Sequence, residues 1–203
     1  MIDLTVQLDP RQMADINKRC DGMISTAKRD AAIKRAAKRA ADVAKTETKR
    51  QLTALYTLPA GKIASTISSR ANVGAGATMK ISSGVHSLPD FKGVKPKAPP
   101  APLPPLETGQ KRKKRRVQTV FAIVKKGGGG ELKRAFPAKM KTGHIGIFER
   151  KGKSRNPIGE KFGPATTGMV KANPDVNEPV LKTAMESFSK RAEHEISRIL
   201  EGK

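Results

Sequence analysis

The sequence predicts an α+β fold: a small, largely antiparallel β-sheet flanked by a long N-terminal helix and a C-terminal helix, with an extended Pro-rich basic loop. Three observations carry this. Residues 26–56 repeat apolar side chains at three- and four-residue spacing, the middle of the chain alternates apolar and polar positions, and residues 177–201 return to helical spacing. At 203 residues the chain suits one domain with arms better than two independent cores.

Ile2, Leu4, Val6 and Leu8 alternate with Asp3, Thr5 and Gln7 until Pro10 stops the pattern, which predicts a strand with one buried face. Asp9 as N-cap and Pro10 at the first helical position then open a short helix running to about Gly22, so that residues 1–25 form a strand-and-helix arm. Over 26–56, Ile33, Ala37, Ala40, Val43, Ala44, Leu52 and Leu55 form an alanine-rich stripe, with Lys34, Arg35, Lys38, Arg39, Lys45, Lys49 and Arg50 mostly opposite. Cations on the polar side of a helix are what solubility alone would give, the sharper alternative being a helix that reads DNA.

Leu58-Pro59-Ala60 breaks the helix, and residues 61–70 are expected to make a shorter one with Ile63 and Ile67 on a common face. Residues 77–82 read as a strand, and Leu88 and Phe91 as core anchors around a turn at Pro89-Asp90. Six prolines in residues 95–110 favour extended polyproline conformation and cannot build a core; with KRKKRR they make a loop insertion over 95–116. That run suits a spacer or arm, the sharper alternative being a ligand for a proline-recognising domain.

Residues 117–164 predict an antiparallel meander. Val117, Val120, Phe121, Ile123 and Val124 mark one strand, Gly127–Gly130 a turn, 132–138 a second strand and 144–150 a third, with 151–164 a basic, turn-rich loop. In the third strand Ile145, Ile147 and Glu149 fall on one face and His144, Gly146, Phe148 and Arg150 on the other. Residues 165–172 are expected to make one or two helical turns. In the last helix Leu181, Ala184, Met185, Phe188, Ala192, Ile196, Ile199 and Leu200 form a stripe able to cover the sheet.

Charge bounds the partners. Lys and Arg number 41 against 18 acids, a net +23, and so basic a chain repels itself unless something anionic is near. Nucleic acid is the natural partner; the alternative is solubility or an acidic protein neighbour. Residues 111–164 hold 17 basic and 3 acidic side chains, which makes this segment the main source of the excess. Lys111, Arg112, Lys113, Lys114, Arg115 and Arg116, with Lys125 and Lys126, are the candidate nucleic-acid contacts. They would neutralise phosphates without reading sequence, and with one Tyr and no Trp base stacking is not expected.

Catalytic chemistry finds little footing. Glu149 and Glu160 stand apart among cations, not as a paired acid and base. Cys20, the single cysteine, reads as structural, and His86, His144 and His194 lack metal-motif spacing. The glycine run at 127–130 is followed by Glu131-Leu132, not the Lys and hydroxyl residue of a phosphate loop, so glycines here, Gly143 and Gly146 included, serve turns and close strand packing. No signal-peptide pattern or membrane-length apolar run is read. We expect no enzyme activity, no cofactor and no metal site.

One stretch, AFPAKMKTGHIGIFERKGKSRNPIGEKFGPA at 135–165, is similar in order to the prophage minor tail protein Z family: Ala-Phe, a Gly-His-x-Gly-x-Phe-x-Arg strand, a basic turn, Pro-Ile and Gly-Pro. The long helix, Leu-Pro-x-Phe with Gly-Val at 88–94 and the terminal helix fit as well, while the insertion at 95–116 departs from the pattern. The resemblance implies a structural protein of long-tailed phage virions that acts late in tail assembly, at the head-proximal end. It implies a homo-oligomeric ring, sixfold like the tail tube, beside tail tube or tail terminator proteins, head-tail connector proteins and viral DNA, with no membrane partner. Phe148, Arg150, Pro157, Ile158, Gly163 and Pro164 then become candidates for fold or subunit-interface positions. The reading from charge alone is a general nucleic-acid-binding protein of ribosomal or nucleoid kind.

Overall fold

The computed structural model describes residues 2–7, 10–20, 25–72, 76–96, 119–154 and 156–201. The candidate contacts Lys111–Arg116 and nearly all of the Pro-rich insertion lie outside the described residues. The fold is α+β, with a long helix, a C-terminal helix and antiparallel sheets, and it gathers into two compact units. One comprises 1–54, 60–84 and 164–203; the other comprises 55–59 and 85–163. The single sheet expected from the sequence is instead three small ones.

In the first unit, strand β1 (Ile2–Gln7), helix α1 (Pro10–Cys20), helix α2 (Thr26–Leu55), helix α3 (Ala60–Ala64), strands β2 (Ile67–Asn72) and β3 (Gly76–Ile81), and helices α4 (Thr166–Lys171) and α5 (Asn177–Leu200) follow in order. Thirty residues without Gly or Pro, rich in Ala, Lys and Arg, propagate α2. Its buried stripe of Ala32, Ile33, Ala36, Ala37, Ala40, Ala41, Ala44 and Leu52 is made mostly of methyl groups, which bring the helix axis close to what it covers. Thr48 shows the contact: its hydroxyl donates to the Ala44 carbonyl at 2.8 Å and lies 3.7 Å from Met79 Sδ on β3.

β3 is the middle strand, antiparallel to β1 and β2, with Ile81 opposite both Ile2 and Ile67. Ala77, Met79 and Ile81 alternate inward from it. The helix expected over 61–70 stops at Ala64. Ser65 and Thr66 donate their hydroxyls to the carbonyls of Lys62 and Ile63, ending the helix, and Ile67 enters β2. Pro179 in the first turn of α5 costs no hydrogen bond there, and Val180, Ala184, Phe188, Ala192 and Ile196 form the buried stripe. Met185 and Leu200, expected in that stripe, are exposed.

The second unit holds β4 (His86–Ser87), a 3₁₀ turn at Leu88–Asp90, β5 (Gly93–Pro96), β6 (Val120–Ile123), β7 (Gly130–Leu132), β8 (Ala135–Lys139), β9 (Ile145–Arg150) and β10 (Ile158–Gly163). The expected meander is divided between two sheets, β5-β6-β7 and β4-β10-β9-β8. The strand expected over 132–138 breaks at Lys133-Arg134. Arg134 takes a left-handed φ of 68°, a turn conformation that lets β7 and β8 join different sheets. The loop expected over 151–164 ends early, because Ile158–Gly163 pairs with β9 and β4 as β10.

Leu88, Val120, Ala135 and Ile147 form the core of this unit, with Val94, Val124 and Leu132 packed against it. Leu88 and Phe91 are buried as anchors on either side of Pro89-Asp90. Ile147 is buried, whereas Ile145, placed on the same face of the strand, is exposed at its start.

Candidate functional site

Three features bear on function: the described cations of the second unit, the β9–β10 hairpin, and a charged groove between α2 and α5. Among its described residues the second unit carries twelve Lys and Arg against four acids, so its field is positive even without the basic run. Lys125 and Lys126 lie just after β6, both exposed. Their backbone is fixed: Lys126 N–H donates to the Leu55 carbonyl at 2.8 Å, and Gly128 N–H to that of Lys125 at 3.2 Å. Gly127, at φ 80°, makes the turn that follows this pair.

The candidate fold or interface residues fall mainly on one hairpin. Phe136, Phe148 and Glu160 are register partners across β8, β9 and β10, and Arg150 partners Ile158. Cross-strand partners share a face, so Phe136, His144, Phe148, Arg150, Ile158 and Glu160 stand together on one side. The Arg150 guanidinium lies 5.1 Å from the Phe136 ring centre, within cation–π range. The edge of His144 meets Phe148 at 6.5 Å, and its Nε2 lies 2.8 Å from Glu160 Oε1. Phe148 is thereby 5% exposed under a polar cover.

Gly146 serves this packing. A Cβ there would lie 2.6 Å from Glu160 Oε1 and 2.9 Å from the Phe148 ring, so the close approach needs glycine. Pro157, exposed, follows a cis peptide bond, and its carbonyl accepts from Lys151 N–H at 3.1 Å to close the hairpin. Gly163 is buried on the other side, against the Phe91 ring, with Pro164 half-buried after it. Phe148, Arg150 and Ile158 are therefore brought together, whereas Gly163 belongs to a separate packing contact.

The groove was not anticipated from sequence. Arg39 of α2 and Thr183, Glu186, Ser187, Lys190, Arg191 and His194 of α5 line an open groove of about 450 Å³, and Arg35, Lys38, Arg39 and Asp42 with Arg191 line an adjoining one of about 400 Å³ that shares Arg39 and Arg191. Beneath it lies Glu195, 1% exposed. Arg35 Nε donates to its Oε2 at 2.8 Å. Arg191 Nη2 lies 2.6 Å from Oε1, at an angle outside hydrogen-bond geometry, so that oxygen has a countercharge but no aligned donor. The signal was present in the sequence. Glu195 stands seven residues after Phe188 and three after Ala192, in register with the apolar stripe, where an acid needs a partner.

Burial pushes the Glu195 carboxyl up, but the Arg35 hydrogen bond and the charges of Arg35, Arg191 and Arg198 outweigh it, leaving it below the 4.5 of a free glutamate. A carboxyl depressed on folding adds stability above its unfolded value and loses it as pH falls through the folded one. The melting-temperature difference between the wild type and Glu195→Gln is therefore expected to hold at neutral pH and shrink below about pH 4.5. A difference that stays constant down to pH 3 would count against the ion pair as its source.

Among the described residues no group of three or more His, Cys, Asp or Glu is placed to hold a metal ion, and no helix is long and apolar enough to cross a membrane. Comparison with family models, curated proteins and solved structures finds no match to the chain.

Proposed function

We propose that the chain is a structural component of a phage virion at the head-proximal end of the tail, completing the tail and joining it to the head. In this role it forms a homo-oligomeric ring, sixfold like the tail tube. It contacts tail tube or tail terminator proteins on one side and head-tail connector proteins on the other, and positions the genome end by nonspecific electrostatics. It catalyses no reaction and uses no cofactor.

The observation that carries this reading is the ordered residue pattern over 135–165. The positively charged second unit supports the DNA contact, with Lys125 and Lys126 exposed on it. Phe162, 50% exposed on β10, and the half-buried Arg150 and Ile158 give the hairpin a face on which apolar and cationic groups can meet a neighbouring subunit.

Cryo-electron microscopy of intact particles tests the proposal. The expected result is a ring of this chain between tail tube and head connector, with residues 111–116 and Lys125-Lys126 turned to the DNA. The absence of the chain from particles, together with its copurification with ribosomes or cellular RNA, would overturn it. The second reading, a general nucleic-acid-binding protein, would then stand, since the net charge of +23 favours it independently of the residue pattern.

A further inference from the structure

We propose that the groove between α2 and α5 is a binding site for the phosphate groups of a nucleic-acid backbone. None of its residues belongs to the contacts assigned above, and the site does not depend on a role in the tail.

Five permanent cations, Arg35, Lys38, Arg39, Lys190 and Arg191, line the groove. Two carboxylates, Asp42 and Glu186, share it, and Asp42 is engaged by the Ser69 hydroxyl at 3.0 Å. On the α5 side Lys190 and Arg191 stand with Glu186, facing the cations of α2.

Glu195 sets this groove apart from a merely solvated helix face. A carboxylate 1% exposed reaches up from below to Arg35 and Arg191, whose side chains remain 49% and 44% exposed. Arg35 is thus held by a hydrogen bond and Arg191 by its ion pair, while both guanidiniums line the groove. Fixing both before a ligand arrives lowers the ordering cost of binding, and a planar guanidinium matches the oxygens of a phosphate. The hydroxyl-bearing residues Thr183 and Ser187 line the same wall and add neutral donors of the kind that contact phosphate oxygens.

Length fits as well. From Thr183 to His194, α5 runs about 16 Å at ~1.5 Å per residue. One strand of a duplex carries a phosphate every ~3.4 Å of axis, so the groove spans about five. Phe, Tyr and Trp are not among the lining residues, so the site would mainly track the backbone.

The test is chemical footprinting of the full chain with a short mixed-sequence DNA duplex. Lys38 and Lys190 amines are acetylated with and without DNA and read by mass spectrometry, beside salt-dependent binding of wild type and Arg39→Ala/Lys190→Ala. Protection of both lysines is expected, with roughly tenfold weaker binding of the variant at low salt and a log–log salt slope shallower by about 1.8, from ~0.9 per phosphate contact. Both replaced residues are exposed and outside the Glu195 ion pairs, and an unchanged melting temperature verifies that the fold is kept. Lysines equally reactive in bound and free chain, or an unchanged affinity and slope, would overturn the proposal. So would equal protection by inorganic phosphate alone with DNA binding intact in the variant, which would assign the groove to a free anion. Loss of an acidic protein partner without a change in DNA binding would overturn it too. Because the readout uses purified chain and DNA, protection would stand even if the chain were absent from particles.

Discussion

Replacing both Arg35 and Arg191 by alanine is expected to destabilise the chain by about 3–5 kcal/mol, the usual cost of leaving a buried charge without its partners. Glu195 is 1% exposed and among the described residues pairs with these two cations; Arg198 acts on it through its longer-range charge. Against a total stability of ~5–15 kcal/mol, that loss brings a small domain near the edge of unfolding. Adding Glu195→Leu to the double variant is expected to restore most of it. Leucine would extend the stripe of Phe188, Ala192 and Ile196, and a buried ion pair is often no more stabilising than an apolar replacement of similar volume. Urea midpoints for the wild type, the double and the triple variant check this. A double variant that loses less than about 1 kcal/mol, or a triple variant no better than the double, would show that Glu195 is solvated.

The same cycle bears on why the glutamate is there. If leucine at 195 maintains the fold, stability alone does not require the acid. Holding Arg35 and Arg191 at fixed positions over the groove is then the use that the geometry gives it.

How far these features were legible in the sequence depends on the range of the interactions that make them. The bounds of α2 and α5 were legible because 3.6-residue periodicity is local and Pro59 and Pro179 punctuate it. Leu88 and Phe91 were legible as anchors because large apolar residues flank an obvious turn. The partition of residues 117–164 between two sheets was not. It depends on Arg134 adopting φ 68°, a conformation that an arginine does not advertise.

Likewise β10 was hidden in IGEKFG, whose two glycines and two charges read as loop. It is a strand because β9 and β4 supply partners on both edges, a nonlocal effect that outweighs propensity. Of the candidate contacts, Lys125 and Lys126 were legible as exposed because they adjoin a glycine run. The α2–α5 groove was not, since its two walls lie about 150 residues apart in the chain and only the buried Glu195 hints that they meet.

Gly163→Ala is expected to destabilise the isolated chain by about 1–3 kcal/mol, the range for forcing volume into a packed core. The added methyl would sit 2.7 Å from Phe91 Cζ and closer still to Cε2. Phe91 is 1% exposed, its ring meets His86 edge-on at 6.3 Å, and its backbone is held by Phe91 N–H donating to the Leu88 carbonyl at 3.1 Å. The ring has little room to withdraw. If this contact is the reason for glycine, Phe91→Leu, which shortens the ring's reach, should make the alanine cheaper. The double variant would then be more stable than the sum of the two single losses predicts, by at least about 0.5 kcal/mol.

This cycle also decides between the two roles open to Gly163 in the residue pattern. A subunit-interface glycine would leave the purified chain's unfolding unchanged on substitution and weaken only its assembly, with no coupling to Phe91. A fold glycine would lower the urea midpoint of the isolated chain and couple. The close approach to a fully buried ring predicts the second outcome, which would place the glycine of the Gly-Pro pair in the core of the second unit and leave the interface to the face of Arg150, Ile158 and Phe162.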